Sequence, residues 1–171
     1  MGICIRKQSP ESLNTDRKVQ ALINRREQYH RAGMIRKVRR DLVVDDNAMN
    51  RAVQRRYLEQ EGIQCDEANN GMVALEMMVN QDYQMVWMDL CMPILDGNST
   101  ARYLKRPFFR GYQYQGPIVA VTAFADQDTE RQVKEHGMSH LVPKPYSFKE
   151  IMKIRKTCSA EYTSPDDRPA S

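Results

Sequence analysis

Asp89 is the residue whose type and position most clearly predict chemistry, because it is a carboxylate at the end of an apolar run. Residues 85–88 form that run, which is typical of a strand buried on both faces of a parallel sheet. Pro93 and then Asp96 with Gly97 favour a loop followed by a helix cap. Open α/β sheets bind ligands where their strands end. We therefore expect Asp89 to lie at a rim of the molecule, facing solvent.

Three further predicted strand ends carry side chains that suit the same chemistry. Asp45 and Asp46 follow the apolar run 42–44, Thr122 ends the run that starts at residue 117, and Lys144 follows a short run at 140–142. Because the carboxyl ends of parallel strands lie at the same edge of a sheet, these side chains are expected to converge with Asp89.

Clustered carboxylates repel one another unless a cation joins them, and a site of hard oxygen ligands suits Mg²⁺. With an ammonium and a hydroxyl beside it, such a site has the parts needed to receive a phosphoryl group. These parts are a carboxylate nucleophile, a metal on one phosphoryl oxygen, a lysine on a second and a threonine on a third.

The elements between these residues alternate regularly. Short apolar runs predict strands at 42–44, 85–89, 117–121 and 140–142, and residues 63–68 are a plausible second strand in chain order. Helical spacing and caps predict helices at 48–58, 72–79, 99–105 and 126–136, and a last helix capped by Ser147. Five strands that alternate with five helices predict a parallel α/β sandwich.

Five motifs in this order resemble those of the response-regulator receiver domain, and more closely those attached to hybrid histidine kinases. They are V-V-D-D-N-A-M-N-R at 43–51, E-A-N-N-G-M-V-A-L-E at 67–76, V-W-M-D-L-C-M-P-I-L-D-G at 86–97, V-T-A at 121–123 and P-K-P at 143–145. The resemblance covers about residues 40–158. It implies a flavodoxin-like, doubly wound (βα)5 sheet of strand order 2-1-3-4-5.

The resemblance also implies a role for each site residue. Asp89 would accept a phosphoryl group from the phosphohistidine of a histidine kinase or histidine phosphotransfer protein. Asp46 would bind Mg²⁺ directly together with Asp89 and the backbone carbonyl of Cys91, and Asp45 would act through water. Thr122 and Lys144 would bind the phosphoryl oxygens, with a cis Lys144-Pro145 bond. The implied activity is a self-catalysed phosphoacceptor switch rather than a turnover enzyme.

One position departs from the family pattern. Receivers carry Tyr or Phe three residues before the lysine, and here Leu141 stands there. An alternative is therefore an adaptor that keeps the receiver fold as an interaction module without being phosphorylated. A metal-dependent phosphatase fits less well, since those enzymes resemble D-x-D at the nucleophile and this chain has Asp89-Leu90-Cys91.

Composition divides the 171 residues into a basic arm at 1–39 that is partly helical or disordered, a receiver at 40–158 and a polar tail at 159–171 that we expect to be disordered. The formal charge is +8 over residues 1–40 and −4 over residues 41–171. No apolar run is long enough for a membrane span, and the N-terminus lacks the apolar region of a secretion signal. The spacing of the four cysteines predicts reduced thiols, so a cytoplasmic location is expected.

The arm contains a helical spacing of apolar residues through Val19, Leu22 and Ile23, with Asn14 or Thr15 as its cap and Gly33 as its stop. An amphipathic connector or a helix that docks on a partner is favoured over nucleic-acid binding, because no aromatic platform accompanies the charge. A second hypothesis is membrane anchoring by lipidation, with Gly2 myristoylated and Cys4 palmitoylated. Arg6 argues against it, because the motif requires Ser or Thr at that position. The chain is either a single-domain receiver that acts on an unknown downstream protein or a receiver from a longer hybrid kinase.

Overall fold

The structure, a computed structural model, describes the backbone of residues 10–105 and 113–161 and the side chains of residues 14–105 and 113–161. Its elements in chain order are α1 (Pro10–Arg31), β1 (Arg36–Lys37), β2 (Asp41–Val44), α2 (Ala48–Glu59), β3 (Cys65–Ala68), α3 (Gly71–Met77), β4 (Gln81–Asp82), β5 (Met85–Asp89), α4 (Gly97–Lys105), β6 (Ile118–Thr122), α5 (Gln127–Glu135), β7 (His140–Pro143) and α6 (Phe148–Glu161).

Five strands form one parallel sheet in the order β3-β2-β5-β6-β7, with α2 to α5 in the connections and α6 after the last strand. This is the 2-1-3-4-5 order of a doubly wound fold, so the predicted fold class is confirmed. Each predicted strand and helix of this sheet is present, with ends shifted by one to two residues. In the register, Val44 of β2 pairs with Met88 of β5, and Asp89 pairs with Val121 of β6.

Alternate residues of the central strands pack into two cores, one on each face of the sheet, as the pleat requires. One core includes Leu42, Val86, Met88 and side chains of α3 and α4. The other includes Val43, Trp87, Val119 and Ile151 of α6. Because both faces of the sheet are covered, β2, β5 and β6 are buried along their whole length. This burial holds the ends of the three strands in place.

The basic arm contains a 22-residue helix, α1, that packs on the domain itself. Val19 is buried in the same core as α3, and Leu22 and Ile23 pack against it. The Arg26 guanidinium binds the Met78 carbonyl and the Asp82 carboxylate. The prediction that this helix is capped at Asn14 or Thr15 is wrong, because the helix begins at Pro10, a residue suited to a first turn. Gly33 lies just beyond its end with φ 65°, as a helix stop requires.

After α1 the chain adds a small second sheet, in which Arg36 and Lys37 of β1 pair in parallel with β4. At the other end, α6 continues to Glu161, into the predicted tail; residues 162–171 lie outside the described residues. The aromatic residues Phe108, Phe109 and Tyr112 also lie outside them. Among the residues the structure describes, no helix is both long and apolar enough to cross a bilayer.

Candidate functional site

Four side chains meet at the edge where β2, β5, β6 and β7 end. Asp45 follows β2, Asp89 ends β5, Thr122 ends β6, and Lys144 follows β7. Asp45, Asp89 and Thr122 are buried, and Lys144 is half-buried. Asp89 therefore lies at the rim as expected, but the expectation that its side chain faces solvent is wrong. The alternation of strand and helix brings these positions to one rim although they are separated by up to 99 positions in the sequence.

The Lys144 ammonium joins two of the carboxylates. Its Nζ donates to Asp45 Oδ2 at 2.6 Å and to Asp89 Oδ2 at 2.7 Å. Charge-assisted hydrogen bonds of this length are strong, and they offset the repulsion between the two carboxylates. The Lys144 amide N–H also donates to the Thr122 carbonyl at 2.7 Å, and the Lys144–Pro145 bond is cis, as the resemblance implied.

Asp45 is further held by the first turn of α2. The Asn47 amide N–H donates to Asp45 Oδ1 at 2.8 Å, and Asn50 Nδ2 lies 3.2 Å from both carboxylate oxygens. Arg51 Nη1 donates to the Asp45 carbonyl at 2.8 Å. Donors from α2 and from the end of β7 therefore fix the orientation of this carboxylate.

The loop after β5 orients Asp89. The Cys91 amide N–H donates to Asp89 Oδ1 at 3.1 Å, while the Cys91 side chain is exposed. Gly97 packs so closely on β5 that a Cβ placed there would lie 2.2 Å from the Asp89 carbonyl oxygen. Any other residue at position 97 would therefore displace the backbone of Asp89.

Burial raises the pKa of Asp89, and the hydrogen bonds from Lys144 and from the Cys91 amide oppose that rise without cancelling it. Burial alone would lower the pKa of Lys144, but its hydrogen bonds to Asp45 and Asp89 outweigh this effect and raise it. Lys144 is thus held as a cation. Burial and then the charge of Asp45 raise the pKa of the nearby Tyr146 phenol to about 12, so Tyr146 stays neutral.

Asp45, Asp46 and Asp89 form a carboxylate cluster whose oxygens lie within 4.8 Å of one another. We refer to these three residues and Lys144 as the acidic site. Asp46 is exposed and gives the cluster an open side. A set of hard oxygen donors with room for water fits Mg²⁺, which keeps several waters when it binds protein carboxylates.

Sequence reasoning did not identify Asn50 or Tyr146 as neighbours of the acidic site. Asn50 lies five residues after Asp45, and helical spacing from Asn47 could have placed it in the first turn of α2. Tyr146 lies in the turn before α6, where no periodicity predicts which way a side chain points. Trp87 is buried in the core, and its Nε1 donates to Asp41 Oδ2 at 3.1 Å, at the opposite edge of the sheet from the acidic site.

Exposed apolar side chains lie on the segments that follow the strands ending at the acidic site. Of the five large apolar side chains that the described residues expose, four lie on segments that follow β2, β5 and β6: Met49, Val53, Ile94 and Phe124. We call these four the apolar rim. Exposed apolar residues grouped around a polar site are typical of a surface that binds a protein.

The comparisons with known proteins agree with this geometry. A family model described as "Response regulator receiver domain" matches residues 42–156. The "Osmosensing histidine protein kinase SLN1" of Saccharomyces cerevisiae is 34% identical over 127 residues, which cover 71% of this chain and 10% of that protein. "Hybrid signal transduction histidine kinase F" of Dictyostelium discoideum is 31% identical over 118 residues, which cover 68% of this chain and 11% of that protein. The chain spans only about a tenth of the length of these relatives.

Solved structures show the same fold. A two-component response regulator from Clostridium difficile has a TM-score of 0.65 at 19% identity, covering 75% of this chain and 99% of that one. A response regulator from Thermotoga maritima, in complex with Mg²⁺-BeF, has a TM-score of 0.60 at 26% identity, covering 71% of this chain and 99% of that one.

Proposed function

The chain belongs to the response regulator receiver domain family, and on that premise we propose that it is a phosphoacceptor switch of a two-component phosphorelay. Asp89 accepts the phosphoryl group, and the phosphorylated form changes which partner protein is bound. The observation that carries the proposal is the Lys144 ammonium between Asp45 and Asp89 at 2.6 and 2.7 Å, since it joins three separate strand ends into one site.

Phosphoryl transfer needs an ionised nucleophile at the rim of the sheet. An oxygen of Asp89 attacks the phosphorus of a phosphohistidine, the new O–P bond forms as the N–P bond breaks, and the histidine nitrogen leaves with its electron pair. No general base is required, because the Asp89 carboxylate carries no proton to remove. The Cys91 amide donates to Asp89 Oδ1. The other carboxylate oxygen, Oδ2, is therefore available to bind Lys144 or the phosphoryl group.

Lys144 and Thr122 bind the transferred group. Lys144 exchanges its hydrogen bond with Asp89 Oδ2 for one with a phosphoryl oxygen, while its bond to Asp45 keeps it in place. Thr122 is buried beside this edge, and its Oγ1 accepts a hydrogen bond from the Phe124 amide at 3.2 Å. That contact leaves the Thr122 hydroxyl proton available to a phosphoryl oxygen, since a hydroxyl both accepts and donates.

The donor set of the acidic site fits Mg²⁺. Asp46 and Asp89, with the backbone carbonyl of Cys91, would hold the ion, and Asp45 would contact it through water. When bound, Mg²⁺ supplies positive charge that stabilises the phosphoryl oxygens during transfer. Lys144 supplies the second positive charge from the protein.

The apolar rim supports a protein as the phosphodonor. Met49 and Val53 lie one turn apart on α2, and Ile94 and Phe124 lie on the loops after β5 and β6. A histidine kinase or histidine phosphotransfer protein that covers these side chains would exclude water while its phosphohistidine reaches Asp89. The downstream partner then recognises the rim or the α5 side of the domain after transfer.

The test is incubation with acetyl phosphate and Mg²⁺, followed by intact-mass measurement. We expect one phosphoryl adduct on the wild type and none on Asp89→Asn. Asp96→Asn is the matched control, because Asp96 is an exposed carboxylate of the same loop that caps α4, and asparagine caps a helix equally well. This variant should be phosphorylated like the wild type.

The competing function is an adaptor that is not phosphorylated. Leu141 favours it, because this leucine stands where receivers carry an aromatic residue. Leu141 is half-buried and packs against the core with α3 and α4. If the wild type acquires no adduct from acetyl phosphate or from a phosphorylated histidine phosphotransfer protein, although it binds Mg²⁺, the adaptor function replaces the switch.

A further inference from the structure

Helix α1 presents a basic face that the receiver function does not use. The helix is fixed in rotation because Val19 is buried and Arg26 binds the chain between α3 and β5. Four cationic side chains are consequently held on its exposed side: Arg17, Lys18, Arg25 and Arg31. We call these four the outer face of α1. They lie along about 21 Å of a straight helix.

The surroundings of the outer face add positive charge. Arg36 is exposed in β1, just beyond the helix, and the sequence before the helix contains Arg6 and Lys7. The carboxylates nearby are few: Asp16 is exposed, and Glu27 is mostly covered and pairs with Arg31 at 3.7 Å. By sequence, residues 1–40 carry a net charge of +8 and residues 41–171 a net charge of −4.

The C-terminal half of α1 is attached at the edge of the sheet opposite the acidic site. Arg26 and β1 meet the chain at Met78, Gln81 and Asp82, immediately before β5 begins. The acidic site lies where β5 ends. A surface that covers α1 would leave the acidic site and the apolar rim open to a protein partner.

We propose that the outer face of α1 docks the protein on an anionic lipid bilayer. A flat surface of negative headgroups can meet all four cations of a straight helix at once, and each basic residue near such a surface strengthens binding. The apolar side of α1 is already packed on the domain, so the helix lies on the bilayer by charge and does not insert. Single-stranded nucleic acid is a poorer match, because Tyr29, the aromatic residue among the described side chains of α1, is half-buried with Arg25 against its ring.

Vesicle co-sedimentation tests the proposal, with the full chain made in bacteria so that Gly2 and Cys4 carry no acyl chains. Vesicles of phosphatidylcholine with about a third phosphatidylserine should bind the wild type in low salt, and binding should fall as salt rises from about 50 to 200 mM. The triple variant Arg17→Glu, Lys18→Glu, Arg25→Glu should bind at least about tenfold more weakly.

The matched control is Lys149→Glu, Lys153→Glu, Lys156→Glu, which makes the same change in net charge at three exposed positions of α6. It should bind vesicles like the wild type. If both triple variants lose vesicle binding equally, net charge alone drives binding and the proposal fails. The proposal also fails if the wild type does not bind the anionic vesicles. Tighter binding to a duplex DNA or RNA of equal charge concentration would assign the outer face to nucleic acid instead. Phosphorylation of Asp89 should be unchanged in both variants, so this proposal and the proposed function fail independently.

Discussion

At the scale of single residues, Asp89 is a group that the fold holds at some cost to stability. The residue is 6% exposed, and burial raises its pKa, which means that the folded protein disfavours the ionised form. Asp45 and Asp46 each place one oxygen within 4.8 Å of an oxygen of Asp89, and Lys144 is the cation that pairs with Asp45 and Asp89. The ionised state is nevertheless the one that can attack phosphorus, so the site trades stability for reactivity.

We therefore expect Asp89→Asn to raise the free energy of unfolding by about 1 kcal/mol at neutral pH without divalent cations. A raised folded-state pKa means that the folded protein binds the Asp89 proton more tightly than the unfolded chain does. The free-energy cost of holding Asp89 ionised in the folded protein is thus absent when the pH is well below the ordinary pKa of aspartate. This cost grows as pH rises and reaches its full value above the raised pKa of the folded state. The increase in the free energy of unfolding that Asp89→Asn brings should therefore grow with pH in the same way.

Urea unfolding of wild type, Asp89→Asn and Asp96→Asn at several pH values measures this effect. Asp96→Asn, which removes a carboxylate outside the acidic site, should show no such gain. A gain in Asp89→Asn that does not depend on pH, or a loss of stability at neutral pH, would contradict this description of the site.

The site residues differ in how well a sequence can predict their positions. Asp45, Asp89 and Lys144 could be placed together because each follows an apolar run, and parallel strands end at one edge. Asn50 and Tyr146 could not be placed, since their positions at the site depend on the rotation of α2 and on the path of the chain after Lys144. These features are set by packing and not by local pattern.

At the scale of elements, the loop between β5 and α4 contains a strained turn. Ile94 has φ 70°, and the Leu95 amide donates to the Pro93 carbonyl at 2.8 Å. This is a γ-turn with positive φ at its central residue, which is strained for any side chain and most of all for a β-branched one. The Ile94 side chain is 65% exposed, so little packing offsets the strain.

Ile94→Gly should accordingly stabilise the protein by about 1 kcal/mol, because glycine adopts positive φ freely. Ile94→Val keeps the β-branch and should leave stability unchanged, which makes it the matched control. Thermal and urea unfolding of the two variants measure the difference. A loss of stability in Ile94→Gly would mean that the exposed side chain makes a larger packing contribution than its surroundings indicate.

Helix α5 buries only one of its residues against the domain. Val133 is its one buried residue, and its exposed surface is charged on several sides. Elements with few buried apolar contacts open at low free energy, so we expect amide exchange in α5 to change when Asp89 is phosphorylated. Hydrogen exchange of wild type and Asp89→Asn, each with acetyl phosphate and Mg²⁺, measures this change, and α1, which contacts no residue of the acidic site among its described contacts, serves as the internal reference. Exchange in α5 that is the same in both proteins would exclude a role for this helix in the switch.

Most elements of the central sheet were predictable, because the buried strands β2, β5 and β6 are largely apolar and several helices have a side-chain cap. Asn47, Asn70 and Asp126 cap α2, α3 and α5 through their side chains. The strand β1 was not predictable, since two residues paired with β4 leave no periodicity. The spacing of the apolar residues of α1 predicted that they form one face of a helix. It could not predict that this face packs on the domain itself, because spacing defines a face and not what covers it.

At the scale of the whole molecule, α1 is an added part of the receiver core. Val19 is 1% exposed, and Arg26 joins α1 to the carboxylate of Asp82. We expect Val19→Ala to lower the free energy of unfolding by about 2 kcal/mol, through lost burial and the cavity left behind. Lys18→Ala, at the exposed neighbouring position, should have little effect. Equal stability of the two variants in urea unfolding would show that α1 is not docked.

The overall arrangement separates two surfaces of opposite charge. The acidic site and the apolar rim lie where the strands end, and the outer face of α1 lies with the elements that precede β5. A protein that exchanges phosphoryl groups at one edge can therefore be held at the other without interference. The vesicle experiment and the phosphorylation experiment test these two edges separately.

The central claim is that Asp89 carries the phosphoryl group, and the most direct test is to locate the modified residue. After incubation with acetyl phosphate and Mg²⁺, borohydride reduces an acyl phosphate to an alcohol, so a phosphorylated aspartate becomes homoserine, which peptide mass spectrometry can place. We predict homoserine at position 89 alone. Homoserine at Asp45, Asp46 or Asp96, or a phosphoryl group that persists in Asp89→Asn, would contradict this claim.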